Sequence, residues 1–380
     1  MIAWILGLSA AYAVALSGTT IMPIVVLSMS KLAGYDEALA TIVASAELAG
    51  IAIYGIFSPK LALKPTKMLA VASLLAVLAG DVSSFYLQVP LPLAGARFVT
   101  GLGEGAIFSL VCMSLASRAN AERLWGGINL IGGLAMGLLL FVASVIPQQQ
   151  NNAPIFLVLS GFTAIVAPLF LLIFKHKIVT AAAADNTKLA GRQIVVALAV
   201  IFLIYMVQAA QWAVCGYVGE RAGLNATEVG LYLAIASLAG FLGAVVPATT
   251  HDKAKRLPFV MIGFSIMAVS IYFLFNDLTV AVFTTTQIFI NIGFFIVTPF
   301  LTGALTENDP DGSLMSRSLV IAVVGATVGT AFAGPVFAAG ASIFAWSCLF
   351  PLALAALGAS FVFGHLHRAL PAKLNSELRG

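Results

Sequence analysis

The chain has 380 residues, 61% hydrophobic and only 9% charged, with a formal net charge of +4. Its mean hydropathy of +1.05 excludes a soluble domain of this size. Apolar runs of about 20 residues, enough to cross a bilayer core, recur along nearly the whole chain. The alternating pattern of a membrane barrel, in strands of about ten residues, is missing. The composition predicts an all-α polytopic membrane protein.

Polar clusters divide the runs into twelve predicted helices, near 3–29, 38–58, 66–88, 91–117, 124–146, 153–174, 192–218, 227–249, 257–275, 278–303, 316–339 and 342–365. The boundary between the last two is the weakest, because no charge marks it. The first helix is too long and too well continued for a cleaved signal peptide. It offers Tyr12, Thr19 and Thr20, with a kink expected at Pro23. The second carries Glu47 in mid-helix, in "TIVASAELAG" (41–50). The third carries Asp81 towards its C-terminal end, where an interfacial charge or a helix-packing contact is expected.

The fourth holds "RFVTGLGEGAIF" (97–108). Arg97 and Glu104 are about two helical turns apart and share one face, separated by about 10 Å. An ionisable group at the centre of a membrane helix costs about 2.5–3.5 kcal/mol on insertion scales. Each therefore needs a partner, an aqueous cavity or a function. Arginine stays charged and grips a carboxylate through two parallel hydrogen bonds. A glutamate at low dielectric is costly to ionise and can load and release a proton. Glu104 is the expected proton carrier and Glu47 the second candidate. Arg97 either anchors an anionic substrate or returns Glu104 to its ionised state. The competing reading is an ion-pair network that only fixes helix packing.

Further along, Gly126, Gly127, Gly132, Gly133 and Gly137 crowd the fifth helix, and Gly325, Gly329 and Gly334 the eleventh. Small residues there let helices approach closely. The seventh helix, "IYMVQAAQWAVCGY" (204–217), sets Tyr205, Gln208, Gln211, Trp212 and Cys215 on one face. The tenth sets Thr284, Gln287, Asn291 and Thr298 on another. Amides in membrane helices face protein or water, so both stripes read as cavity lining or as interhelical hydrogen bonds. The three cysteines form no CxxC pair, so neither a disulfide framework nor a metal site is expected. His176, His251, His365 and His367 sit at the edges of the apolar runs, and no transport role is expected of them.

Sixteen of the 19 lysines and arginines fall in loops after even-numbered helices or in the C-terminal tail; the others are Lys31, Arg221 and Arg97. This split predicts that both termini are cytoplasmic. The chain also repeats at a spacing of 190 positions: "SAELAG" (45–50) matches "IASLAG" (235–240), Arg97 falls on Gln287, Glu47 on Ser237 and Gly103 on Gly293. The expected organisation is an N-terminal six-helix bundle (1–175), a cytoplasmic linker (176–191), a parallel second bundle (192–366) and a cytoplasmic tail (367–380). Parallel halves around a central site are a transporter architecture.

Twelve helices in two halves, a central loop and this length resemble the major facilitator superfamily, and the resemblance covers the whole chain. "RFVTGLGEGA" is similar to the family's arginine-centred motif with spaced glycines, on Arg97, Gly101, Gly103 and Gly105. The resemblance implies that Arg97 serves proton transfer or substrate charge recognition. It also implies a cavity lined by helices 1, 4, 7 and 10 and a monomer. Two family marks depart. In "GIFSPKLALK" (55–64) Pro59 replaces an aspartate and Ala62 a glycine. The Gly-Pro pair of antiporters is missing from the fifth helix and recurs in "GTAFAGPVFAAG" (329–340) of the eleventh. "DPDGSLMSR" (309–317) resembles the charged loop before that helix.

The expectation is a proton-coupled secondary transporter of a small organic solute, an organic anion by virtue of Arg97, in the plasma (inner) membrane. Arg97, Tyr12, Tyr205, Gln208, Gln211, Trp212, Gln287 and Asn291 would bind it. Glu104, Arg97 and Glu47 would couple it to protons. The alternative is a proton-driven exporter of amphipathic drugs or metabolites. No cofactor and no nucleic-acid partner is expected beyond solute and lipid. Sodium is the other candidate coupling ion, held by Glu47 or Glu104 with helix carbonyls. No catalytic serine motif, HExxH or mid-membrane histidine points to an enzyme, and no Gly-rich nucleotide loop to ATP-driven transport.

Overall fold

The computed structural model describes residues 2–61, 66–116, 121–146, 153–175, 191–250, 255–306 and 313–377. The linker at 176–190, His176, His251, Ala62, Lys64 and the start of the 309–317 loop lie outside them. The first crossing is built from α1 (Ile2–Ala15), α2 (Ser17–Thr20) and α3 (Met22–Met29). α4 (Glu37–Leu61), α5 (Lys67–Tyr86), α6 (Pro90–Ala116), α7 (Ala121–Ser144) and α8 (Ile155–Leu171, with a 3-10 turn to Lys175) complete the first half. The second comprises α9 (Gly191–Arg221), α10 (Ala226–Thr249), α11 (Arg256–Asn276), α12 (Val280–Thr306), α13 (Ser313–Ala339) and α14 (Ala341–Glu377). Ten of these helices are individually long and apolar enough to cross a membrane. The first and sixth crossings are made from the shorter pieces, giving twelve.

Local chemistry sets the ends. Asn225 and Glu228 form a reciprocal capping box at α10. Thr66 caps α5 by accepting from the Leu69 N–H. The unmarked boundary between α13 and α14 falls at Gly340, whose φ of 142° favours glycine. α14 then runs 37 residues, about 55 Å against a bilayer core of about 30 Å. It continues unbroken past residue 366, where a separate tail was expected. The first crossing has two breaks, at Leu16 and Ile21, in place of one kink at Pro23. Pro23 sits in the first turn of α3, where its missing N–H is tolerated, and the helix opens on its N-terminal side.

Glycines set the packing of α6. A Cβ on Gly101 would fall on the backbone carbonyl of Glu47, and one on Gly50 on that of Phe98, so α4 and α6 touch along their backbones. Gly105 meets Ile51 in the same groove. Gly103, between them, faces Ser73 and Val77 of α5. The alternating glycines of the "GLGEG" stretch thus lock α6 between two neighbours and carry Arg97 and Glu104 into the interior. The second half repeats the device: Gly293 of α12 packs against Gly263 and Met267 of α11.

The halves meet through α3 and α9, α4 and α13, and α7 and α10. On the face away from the termini they are closed. Gly216 lies against Pro23 and Leu27, the Tyr217 hydroxyl donates to the Val26 carbonyl at 3.2 Å, and the Gly334 N–H donates to Thr41 at 3.0 Å. Lys31 pairs with Glu220 at 3.0 Å and Arg221 with Glu37 at 2.8 Å, all four partly exposed. Arg221 also covers the Phe337 ring. Towards the termini face the contact is looser, although Gly55 of α4 still meets Val320 of α13. Gly126 and Gly127 of α7 face open space. A mainly apolar cavity of about 320 Å³ opens between α4, α6 and α13, lined by residues including Ile51, Tyr54, Phe108, Met113, Leu319 and Val320.

Candidate functional site

Four ionisable side chains converge in the first half, all buried: Glu47 from α4, Asp81 from α5, and Arg97 and Glu104 from α6. The Arg97 Nη1 donates to Asp81 at 2.7 Å. Its Nε donates to Glu47 at 3.2 Å, and its Nη2 forms an ion pair with the same carboxylate. The Phe156 ring of α8 covers the guanidinium, 4.9 Å from its Cζ. Breaking a buried pair by removing one partner costs about 3–5 kcal/mol, so the triad fastens α4, α5 and α6 together.

Glu104 is different. Its Oε1 accepts from the Gly18 N–H at 3.4 Å and lies 3.2 Å from the Ser17 hydroxyl, whose single proton is shared with the Val14 carbonyl at 2.9 Å; both residues are in α2. With both acids ionised no donor reaches its Oε2, and the Glu47 carboxyl lies within hydrogen-bond reach of Glu104, so one proton can be shared between the two. Glu47, Asp81 and Arg97 all lie within electrostatic range, and the Glu47 carboxylate fills the space that a side chain at Gly18 would need. Three carboxylates thus share one guanidinium. With all four ionised, two negative charges would be uncompensated away from water, at high cost. A carboxyl proton removes one of them.

The second half offers amides at the corresponding depth. The Gln287 Nε2 donates to Gln211 Oε1 at 3.2 Å and to Cys215 Sγ at 2.8 Å. The Cys215 thiol donates to the Gln211 carbonyl at 3.0 Å, and the Asn291 Nδ2 to the Gln287 carbonyl at 2.8 Å. The Gln208 Nε2 approaches Asn291 Oδ1 at 3.5 Å. Gln211 Nε2, Gln287 Oε1 and Gln208 Oε1 remain without partners. Reversing the Gln211 and Gln287 amides together still leaves one donor and one acceptor over. Tyr205 sets its ring edge-on to Phe294, with centroids 5.1 Å apart. Tyr12, in the first half, donates to Asn129 Oδ1 at 2.6 Å and lies 6.4 Å from the Phe108 ring. Trp212 Nε1 crosses between the halves, 3.2 Å from the carbonyls of both Thr19 and Thr20.

The residues named from the sequence therefore fall into two groups. Glu47, Arg97 and Glu104 form one; Gln208, Gln211, Gln287 and Asn291 form the other. Tyr12, Tyr205 and Trp212 lie around them. Thr284 and Thr298 of the α12 stripe turn their hydroxyls back onto their own helix. Of the two readings of Asp81 the helix-packing contact is the one observed: it is buried, Arg97 of α6 reaches it, and it is a full member of the triad rather than an interfacial charge. Arg97, expected to anchor an anion, is enclosed by Glu47, Asp81 and Phe156 and presents no surface to a cavity in this conformation. Sequence reasoning missed Ser17, Gly18 and Asn129. The first two had a signal in the proline a few residues on, while Asn129, a lone amide in a glycine-rich helix, had little.

The sequence matches the Major Facilitator Superfamily over residues 7–316. This chain belongs to that superfamily. Its fold is similar to two solved transporters. One is a D-xylose-proton symporter, at 15% identity and a TM-score of 0.73, with 95% of this chain and 97% of that one covered. The other is a bacterial homolog of the human lysosomal transporter Spinster, solved inward-facing and unoccupied, at 11% identity and a TM-score of 0.72, with 95% of each chain covered. No curated protein matches by sequence. As a member of the major facilitator superfamily the chain is an integral membrane transporter, and its twelve crossings are those of the family fold.

Proposed function

We propose that this major facilitator transporter moves a small organic solute by alternating access, coupled to protons through Glu104 with Glu47 as the second site. The observation that carries the reading is Glu104 itself. It is a buried carboxyl within hydrogen-bond reach of a second acid, Glu47, in a cluster where three acids share one guanidinium. Protonation relieves the excess charge, and return to water restores it. A proton symporter among the similar folds is in line with this coupling ion, although at 15% identity that likeness carries the fold alone. The charge split of the loops supports cytoplasmic termini in the plasma membrane, so the cavity between α4, α6 and α13 would face the cytoplasm.

For the solute, the spare acceptor of the partly exposed Gln208 supports an uncharged hydrogen-bonding group; Gln211 and Gln287, as enclosed as Arg97 in this conformation, would join it only after the halves move. The apolar cavity wall supports an amphipathic body attached to it. An organic anion gripped by Arg97 would first require the guanidinium to leave Glu47 or Asp81, so it is the weaker reading. The test is proteoliposomes with a lumenal pH dye, wild type against Glu104→Gln, challenged with polyols, amphipathic amides and carboxylates. Solute-dependent proton movement that the variant abolishes supports the proposal, and the panel names the class. Movement that survives in Glu104→Gln shifts the role to Glu47. Movement driven only by a sodium gradient replaces the proton.

A further inference from the structure

The broken first crossing lies between the two groups and touches both. Pro23 has no N–H for the carbonyl of Thr19, four residues earlier. The next N–H, that of Ile24, turns to the Ile21 carbonyl at 2.9 Å. The carbonyls of Thr19 and Thr20 are thereby released from the helix, and a buried carbonyl left unbonded is costly. Trp212 Nε1 takes both, from the other half of the molecule. At the other end of α2, the Gly18 N–H holds Glu104 Oε1, and the Ser17 hydroxyl is shared between that oxygen and the Val14 carbonyl. A four-residue element, loosened at Leu16 and Ile21, is therefore tied to the proposed proton site at one end and to the second half at the other.

We infer that α2 transmits the protonation of Glu104 to the second half, with Trp212 as the positioning residue that senses it. The inference rests on the proton-carrier reading of Glu104. Hydrogen bonds to an ionised carboxylate are roughly twice as strong as those to a neutral acceptor. A proton from water that bonds to Oε2 neutralises the acceptor and weakens its hold on Ser17 and Gly18. Only that O–H bond forms, and it breaks when the proton returns to water. Freed at this end, α2 shifts, and the two carbonyls move relative to Trp212. The groups facing Glu104 are Glu47 from α4, Asp81 from α5 and Arg97 from α6 itself. α1 and α2 bring uncharged Ser17 and Gly18, with Tyr12 further along α1. α7 has no ionisable side chain between Leu124 and Ser144.

The test uses the full chain in nanodiscs with protons as the only ligand. Trp212 is made the sole emitter by replacing Trp4, Trp125 and Trp346 with Phe. Its emission is expected to shift on acidification, and the shift to vanish in Glu104→Gln. Pro23→Ala returns an N–H to Thr19 and is expected to reduce the shift. Should the single-tryptophan protein not fold, hydrogen exchange in the otherwise unsubstituted chain replaces it. At alkaline pH, where wild-type Glu104 is ionised, Glu104→Gln is then expected to speed exchange across residues 17–21 relative to wild type. Emission that ignores pH, or unchanged exchange, overturns the inference even where Glu104→Gln abolishes proton movement in proteoliposomes. Proton movement intact in that variant overturns the reading of Glu104 beneath it.

Discussion

The two halves share a frame and differ in chemistry. Gly103 and Gly293, 190 positions apart, each wedge a core helix against the one before it in sequence, on Ser73 and Val77 in the first half and on Gly263 and Met267 in the second. At the same spacing Arg97 corresponds to Gln287. The arginine joins two acids from α4 and α5, whereas the glutamine joins an amide and a thiol from α9. Glu47 corresponds to Ser237, whose hydroxyl merely returns to its own helix at Leu233. The frame therefore requires the glycines and not the charges. Ionisable groups concentrated in one half, with neutral hydrogen-bonding groups in the other, are the arrangement that the proposed function assigns to proton and solute respectively.

The comparison can be broken most forcefully at its centre. Arg97→Met strands Glu47 and Asp81 and is expected to cost about 3–5 kcal/mol. Gln287→Met is expected to cost about 1–3 kcal/mol. Thermal unfolding of the purified proteins measures both, and equal losses would erase the contrast. The shared frame makes the opposite demand. Gly103→Val and Gly293→Val should each cost about 1–3 kcal/mol through overpacking, and by similar amounts, although their surroundings differ in polarity. A functional split follows at a smaller scale. Gln211→Leu is expected to weaken solute affinity about tenfold, the worth of one neutral hydrogen bond, leaving protons moved per solute unchanged. Glu104→Gln should do the reverse, and initial rates against solute concentration separate the two. Smallest of all, the Lys31→Ala, Glu220→Ala pair is expected to shift unfolding by no more than about 1 kcal/mol, because both groups are partly exposed.

Much of the frame was legible in the sequence because hydropathy alone sets where a chain crosses a bilayer. The predicted helices coincide with the observed ones to within a few residues, apart from α14. That helix runs 37 residues through Pro351 and Pro371, and a membrane-length rule assigns its end to a tail. The site was less legible. Periodicity put Gln208 and Gln211 on one face, and rarity singled out Arg97, Glu47 and Glu104, but neither says which groups from different helices meet. Asp81 looked peripheral because its position was judged along its own helix, whereas its depth follows from α6 lying against α5. The double break was hidden for a related reason. Proline announces a missing donor, but which carbonyls go unpaired, and what takes them, depends on a tryptophan about 190 residues away.

The two ion pairs on the face away from the termini join one half of the protein to the other, Lys31 to Glu220 and Glu37 to Arg221. They hold a conformation as well as a fold, since opening that face must separate both. Exposed charges are screened beyond about 8 Å at physiological ionic strength and beyond about 3 Å at 1 M, so these pairs, at 3.0 and 2.8 Å, weaken mainly in concentrated salt. Under the proposed alternating access, the salinity of the medium bathing that face is expected to enter the balance between closed and open forms. Concentrated salt loosens the clasp and dilute medium tightens it, independently of what is being carried.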